Sequence, residues 1–286
     1  MIVFPNCKIN LGLNIIRKRG DGYHDLETVF YPLALQDALE VVDLDDSKRT
    51  DGDNPCGKFS TSGEMIECKP EDNLCVKACS LLKSRYPSIR QVSMHLHKSI
   101  PPGSGLGGGS SDGAFTLQLL NQKFSLGLTT EQLLDHALQL GSDCPFFIIN
   151  KPCFATGRGE FLDRIDVNLS AYRIVVVTPR IHIQTSKAFS SIRPAFPSKS
   201  IKEIIKQPIQ TWRDDLKNDF EETIFKNDPE IKHVKDELYR AGALYSSMSG
   251  SGSSVYGIFK KDTVIDLAFP KTYFIKELIS KSQQLP

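Results

Sequence analysis

Apolar and polar positions alternate without a break along "KINLGLNI", residues 8–15. Ile9, Leu11, Leu13 and Ile15 fall on one side, and Lys8, Asn10, Gly12 and Asn14 on the other. A period of two marks a β-strand with one buried and one polar face; this strand ends at the "RGDG" turn, 19–22. "ALEVVDL" (38–44) and "VSMHLH" (92–97) read as further strands, the latter with Val92, Met94 and Leu96 inward. The polar, turn-rich stretch 45–72 reads as hairpin and loop. Helical spacing begins at 73–85 with Leu74, Ala78, Leu81 and Leu82, and returns in "SDGAFTLQLLNQ" with Ala114, Leu117 and Leu120. Thr129 followed by Gln132 makes a capping box for the next helix. Gly141 is predicted to end that helix as a left-handed cap. "CPFFII" (144–149) reads as a buried strand, with Asp143 in the joint before it.

The second half continues without a low-complexity linker or internal repeat. "YRIVVVTP" (172–179) is a β-branched strand, and Asp228-Pro229 open a helix carrying Ile231, Val234 and Leu238 as far as Gly242. "VYGIF" (255–259) is a strand directly after the glycine-serine loop "MSGSGSS" (248–254). Strands and helices mix throughout, so the class is α+β, with a boundary near 155–165.

Composition adds mainly exclusions. The 286 residues are 40% apolar and 24% charged, enough for two cores. A net charge of +1 argues against nucleic acid or acidic membrane as partner, and Arg17-Lys18-Arg19 reads as a solvated turn. No apolar run approaches the roughly 20 residues of a spanning helix. The start "MIVFPNCKINLG" lacks the basic-then-apolar order of a signal peptide, so a cytoplasmic setting is expected. Seven scattered cysteines without a CxxC fit reduced thiols better than a disulfide framework. Cys75 with Cys79, and His95 with His97, could each begin a metal site, yet neither pair has a third and fourth ligand; no metal ligands are assigned.

The chemistry concentrates in "SIPPGSGLGGGSSDGAF", 99–115, between a strand and a helix. Gly103, Gly105 and Gly108 fit the GxGxxG spacing of a dinucleotide loop. Such a loop should meet an acid at a strand end about 20 residues on, and here that point falls at the Thr129–Glu131 helix start. The Lys-Ser/Thr ending of a P-loop is missing, and no HRD or DFG follows. A flexible surface loop is the bland alternative. Unpaired N–H groups at a helix start, glycines permitting close approach, and the hydroxyls of Ser110 and Ser111 together suit a phosphate chain.

Three blocks, "NCKINLGL", "PPGSGLGGGSSDGA" and "MSGSGSSVYGIF", resemble in order the three motifs of the GHMP kinases. "RGDGYHDLETVF" (19–30) and "LGSDCPFF" (140–147) resemble the branch that phosphorylates a cytidine-diphosphate-linked polyol. The resemblance implies a two-domain fold: a ribosomal-protein-S5-domain-2-like ATP domain over 1–160, a ferredoxin-like domain over 161–286, and the active site in the cleft between. It implies ATP with Mg2+ as cofactor, small-molecule substrates, and a monomer or weak homodimer. Lys8 and Asp143 match the catalytic lysine and aspartate. Asn73, Lys98, Pro101, Gly103, Ser104, Gly105, Leu106, Gly107, Gly108, Gly109, Ser110 and Ser111 match the ATP-binding positions. Asn10, Tyr23, His24, Phe189, Gly250 and Ser251 match the substrate side, with Tyr23 and His24 holding the cytosine and Phe189 packing on the base. Cys7 departs from the pattern, standing where a small alanine usually precedes the lysine. The same resemblance leaves room for a relative acting on mevalonate or homoserine, or for a non-catalytic nucleotide-binding relative.

Overall fold

The computed structural model describes residues 1–44 and 56–279. Its strands are β1 (Ile2–Val3), β2 (Asn6–Lys18), β3 (His24–Gln36), β4 (Ala38–Asp43), β5 (Gly57–Gly63), β6 (Val92–Lys98), β7 (Cys153–Thr156), β8 (Phe161–Arg164), β9 (Tyr172–Thr178), β10 (Tyr245–Met248), β11 (Val255–Lys260) and β12 (Phe274–Ile279). The α-helices are α1 (Leu74–Arg85), α2 (Gly108–Lys123), α3 (Thr130–Leu140), α4 (Cys144–Ile149), α5 (Thr185–Ser190), α6 (Ile201–Ile204), α7 (Trp212–Asp215), α8 (Phe220–Asn227) and α9 (Pro229–Arg240). By contact the chain forms two compact units interleaved in sequence. The first holds 1–7, 35–102 and 107–150; the second holds 8–34, 103–106 and 151–286.

In the first unit the sheet runs β1-β4-β6-β5. β4 lies antiparallel to β6, with Leu39 opposite Leu96 and Val41 opposite Met94. β5 lies parallel to β6, so no hairpin joins them; α1 lies between them in sequence, within the crossover that a parallel pair requires. The rest of the expected hairpin, residues 45–55, lies outside the described residues. The thiol expectation is corrected here as well: Cys56 and Cys79 form a disulfide with Cα atoms 6.0 Å apart, inside the usual range. Their separation of 23 residues carries no motif that spacing could reveal.

Around this sheet α1, α2, α3 and α4 bury Leu82, Leu117, Leu120, Leu133, Phe146 and Phe147. The Thr129–Gln132 capping box is present at α3. Gly141 is not left-handed: with φ 168° it is extended, and its N–H closes the helix on Ala137 O. Residues 144–149 form a helix rather than a strand. A six-residue apolar run has no decisive period, and Pro145 suits a first helical turn, where a missing N–H leaves no bond unmade.

The second unit holds the sheet β10-β11-β9-β12 and most of β2-β3-β7-β8. Val175 and Val177 of β9, Val255 and Phe259 of β11, and Ile231, Val234 and Leu238 of α9 share one core with Leu13 and Ile15 of β2. Pro229 opens α9 as expected, but Asp228 makes no side-chain capping bond. β2 departs most from expectation, because its polar face is buried too: Lys8 is 3% exposed, Asn10 2% and Asn14 9%. Each polar side chain finds a partner inside, as buried polar groups must; Asn14, for example, donates to Glu27 Oε1 at 3.0 Å.

Candidate active site

In the first unit, the end of β6 and the start of α2 build an anion cradle. Gly107 caps α2 at φ +72°. Gly108 is packed tight, since a Cβ there would lie 2.9 Å from Ile100 Cγ2, whereas one on Gly109 would meet nothing within 4 Å. Ser111 Oγ is buried without a hydrogen-bond partner among the described residues. An orphaned hydroxyl in the first turn of a sixteen-residue helix, beside an open glycine face, fits the oxygens of a phosphate chain.

Lys98 Nζ is not directed at the cradle's open side but donates to Asp37 and, at 2.8 Å, to Asp112. Asp37 Oδ1 also accepts from the N–H groups of Ser99 (2.6 Å) and Ile100 (2.8 Å). Burial opposes the Lys98 charge, but Asp112 and Asp37 outweigh it and raise the lysine above its ordinary value. Burial raises the Asp112 carboxyl against the pull of Lys98. The three side chains thereby fasten the strand end to the helix carrying the cradle.

Asn73 caps α1, its Oδ1 accepting from Cys75 N at 2.9 Å, and Pro101 is buried. Asp143, half-buried, immediately precedes α4 in helical backbone, and its side chain makes no capping bond. Its neighbour Cys144 hydrogen-bonds Ser110, and burial pushes that thiol up to about 12. The packing of α2 on α4 therefore sets a cradle serine beside the residue next to Asp143.

The second unit gathers Lys8, Asn10, residues 103–106 and the third glycine segment. Lys8 Nζ donates to Asn10 Oδ1 at 2.6 Å, lies 3.4 Å from Gly105 O, and sits 4.9 Å from the centre of the Phe30 ring. Lys8 N donates to Leu106 O at 2.9 Å, and Ser254 N to Ser104 O at 3.0 Å. Gly105, at φ +80°, could carry no side chain, because its Cβ would lie 2.1 Å from Ser249 O. Ser249 Oγ donates to Gly105 O at 2.9 Å and accepts from Asn10 N at 3.3 Å. Asn218 Nδ2 ties down Met248 O (2.8 Å) and Gly250 O (2.9 Å), and Ser251 Oγ meets Thr185 Oγ1 at 3.1 Å. Gly103, at φ +63°, faces the His182 ring.

His24 stacks on Phe189 with ring centres 5.1 Å apart and planes at 22°, and Phe189 meets Phe220 edge-on at 4.9 Å. Burial, then Lys18, lowers the His24 pKa and favours the neutral ring. Tyr23 stands 54% exposed, with the Arg158 guanidinium 4.7 Å from its centre. His95 and His97 share a face of β6 and hydrogen-bond Ser60 and Ser62 of β5.

The sequence reading missed Thr28, Phe30, Asp37, Asp112, Asn218, Ser249 and Arg158. Four of them lie inside quoted blocks, Thr28 and Phe30 in "RGDGYHDLETVF", Asp112 in "PPGSGLGGGSSDGA" and Ser249 in "MSGSGSSVYGIF", and Asp37 follows the run "PLALQ".

The chain matches the family models described as "GHMP kinases N terminal domain" over residues 73–151 and "GHMP kinases C terminal" over 200–269. A protein of Bacteroides fragilis named 4-diphosphocytidyl-2-C-methyl-D-erythritol kinase is 50% identical over 267 residues, covering 93% of this chain and 94% of that one. A crystal structure of 4-(cytidine 5'-diphospho)-2C-methyl-D-erythritol kinase superposes with a TM-score of 0.74 at 30% identity, covering 90% of each chain. The mevalonate kinase of Methanococcus jannaschii, at 11% identity, shares the fold with a TM-score of 0.65 over 92% of each chain.

Proposed function

The chain belongs to the GHMP kinases, and on that premise we propose that it transfers the γ-phosphoryl group of ATP to the 2-hydroxyl of 4-diphosphocytidyl-2-C-methyl-D-erythritol. The observation that carries this reading is the full-length likeness to relatives of that name, at 50% identity over 93% of the chain. The substrate hydroxyl oxygen attacks the γ-phosphorus, the bond to the β-phosphate oxygen breaks, and ADP leaves with the electron pair. Asp143 orients the hydroxyl and takes its proton, a role worth roughly 10²–10⁴ in rate. Lys8, held by Asn10 Oδ1 and Gly105 O, steadies the charge on the transferring group.

Residues 103–111 hold the triphosphate, with the Ser111 hydroxyl and the open face of Gly109 toward its oxygens. Asn73, Pro101 and Lys98 border the adenosine; the ammonium of Lys98 is committed to two carboxylates, so its part there falls to the backbone. Mg2+ arrives with ATP and neutralises its phosphates. Tyr23, His24 and Phe189 take the cytosine, and Asn10, Gly250 and Ser251 line the polyol side. The setting proposed is the cytoplasm, as a monomer or weak homodimer.

The test mixes purified protein with ATP, Mg2+ and the cytidyl substrate, and follows ADP and a phosphorylated product by mass. Turnover of the cytidyl substrate, with mevalonate and homoserine left untouched, supports the reading; the reverse preference overturns it. Asp143→Asn is expected to lower kcat by about 10²–10⁴ while the substrate still binds, measured by single-turnover kinetics and calorimetry.

A further inference from the structure

Thr28 lies in the quoted block "RGDGYHDLETVF" without an assigned role there; it is fully buried and stands one hydrogen bond from Asn10, the partner of Lys8. β2 and β3 are neighbours in their sheet. Lys8 and Asn10 share one face of β2, and Thr28 and Phe30 one face of β3, because residues two apart on a strand point the same way. Asn10 Nδ2 donates to Thr28 Oγ1 at 3.0 Å, Asn10 Oδ1 accepts from Lys8 Nζ at 2.6 Å, and the Phe30 ring covers the ammonium.

A threonine hydroxyl has a single proton. Thr28 gives that proton to Gly12 O at 2.5 Å, so toward Asn10 it presents only lone pairs. The amide must answer with its NH2 group, and its one oxygen is thereby turned to Lys8. The reversed amide would set donor against ammonium and acceptor against an oxygen whose proton is spent elsewhere. Gly12, whose carbonyl accepts from Thr28, sits at φ +70°, and a Cβ there would lie 2.6 Å from Leu216 Cδ1, so no side chain fits at this position.

We propose that Thr28 is a positioning residue which, by accepting from Asn10, fixes the orientation of that amide and so aims the Lys8 ammonium. The proposal deepens the kinase reading and rests on it for the part Lys8 plays. The relay runs from Gly12 O through the Thr28 hydroxyl and the Asn10 amide to Lys8, and each link has its polarity set by the one before.

The experiment compares Thr28→Val, which keeps the shape and removes the hydroxyl, with Thr28→Ser, which keeps the hydroxyl. Thr28→Val is expected to lower kcat about tenfold or more, with KM for both substrates within about twofold and the melting temperature little changed. Thr28→Ser is expected to recover most of that loss. In an Asn10→Ala background, adding Thr28→Val is expected to change kcat less than about twofold, since both act through one path. A kcat for Thr28→Val near wild type, equal damage from Ser and Val, or full additivity with Asn10→Ala each overturns the proposal. Thr28→Ala repeats the comparison if the valine variant misfolds. Hydrogen exchange of the Asn10 side-chain amide, followed by NMR without substrate, is expected to be slow in the wild type and fast in Thr28→Val. Unchanged exchange overturns the proposal, whereas changed exchange in a protein that turns over no cytidyl substrate overturns the kinase reading alone.

Discussion

Lys8 and Lys98 are both 3% exposed, and each is held by its own set of contacts. Lys98 is compensated on the spot by two carboxylates, Asp37 and Asp112, which are themselves anchored in the same unit. Lys8 has among its contacts an amide oxygen, a backbone carbonyl and the face of a phenyl ring. Dipoles of this kind orient an ammonium, which suits the part proposed for Lys8 on an anionic phosphoryl group. Paired carboxylates cancel the charge and turn the same functional group into a fastener.

Removing each lysine should separate these roles. Lys98→Met would leave two buried carboxylates without their cation, and breaking a buried pair in this way costs about 3–5 kcal/mol. The expected result is a melting temperature lowered on the order of 10 °C; a calorimetric shift of a degree or two would show that the carboxylates do not depend on Lys98. Lys8→Met keeps most of the buried stem. Its expected result is a melting temperature close to wild type and a kcat lower by roughly 10²–10³, measured as ADP release. Equal effects of the two substitutions on stability and on turnover would erase the comparison.

The smallest effect is expected at Asp112→Asn, and it sharpens the comparison by pH. Because burial raises the Asp112 carboxyl, the folded chain binds its proton more readily than the unfolded chain does. Stability from this group therefore falls as pH rises above the ordinary value of 3.8, until the carboxyl of the folded chain has ionised as well. The asparagine variant should lose that slope while keeping Lys98 on Asp37. Denaturant melts across the same range check it, and an unchanged slope would move the titration to another group.

Much of the fold is legible in periodicity. Of the segments read as strands, "KINLGLNI", "ALEVVDL", "VSMHLH", "YRIVVVTP" and "VYGIF" are strands in the structure, and the Thr129–Gln132 box opens its helix. The failures have local causes. The run 144–149 is too short for its period to separate strand from helix, and Pro145 was the overlooked sign. The Cys56–Cys79 bridge joins sites with no shared motif. At the site, the glycine segments and Lys8 could be picked out from their letters, whereas the hydrogen bonds that Thr28, Asp37 and Ser249 make there could not. Their meaning depends on the strand or loop they face, not on their own neighbours in the chain.

The amino-acid sequence by itself determined where the local elements run, where glycine is required, and which family's motifs are present. These follow from properties that act over a few residues: side-chain periodicity, capping and backbone freedom. Only the tertiary structure decided that the polar face of β2 is buried, that Lys98 meets Asp37 from 61 positions away, and that the Thr28 hydroxyl sorts the amide next to Lys8. The reason is that alternation reports which side of a strand is apolar, while the hydrogen-bond partner of a buried polar group is chosen by contact between segments far apart in the chain.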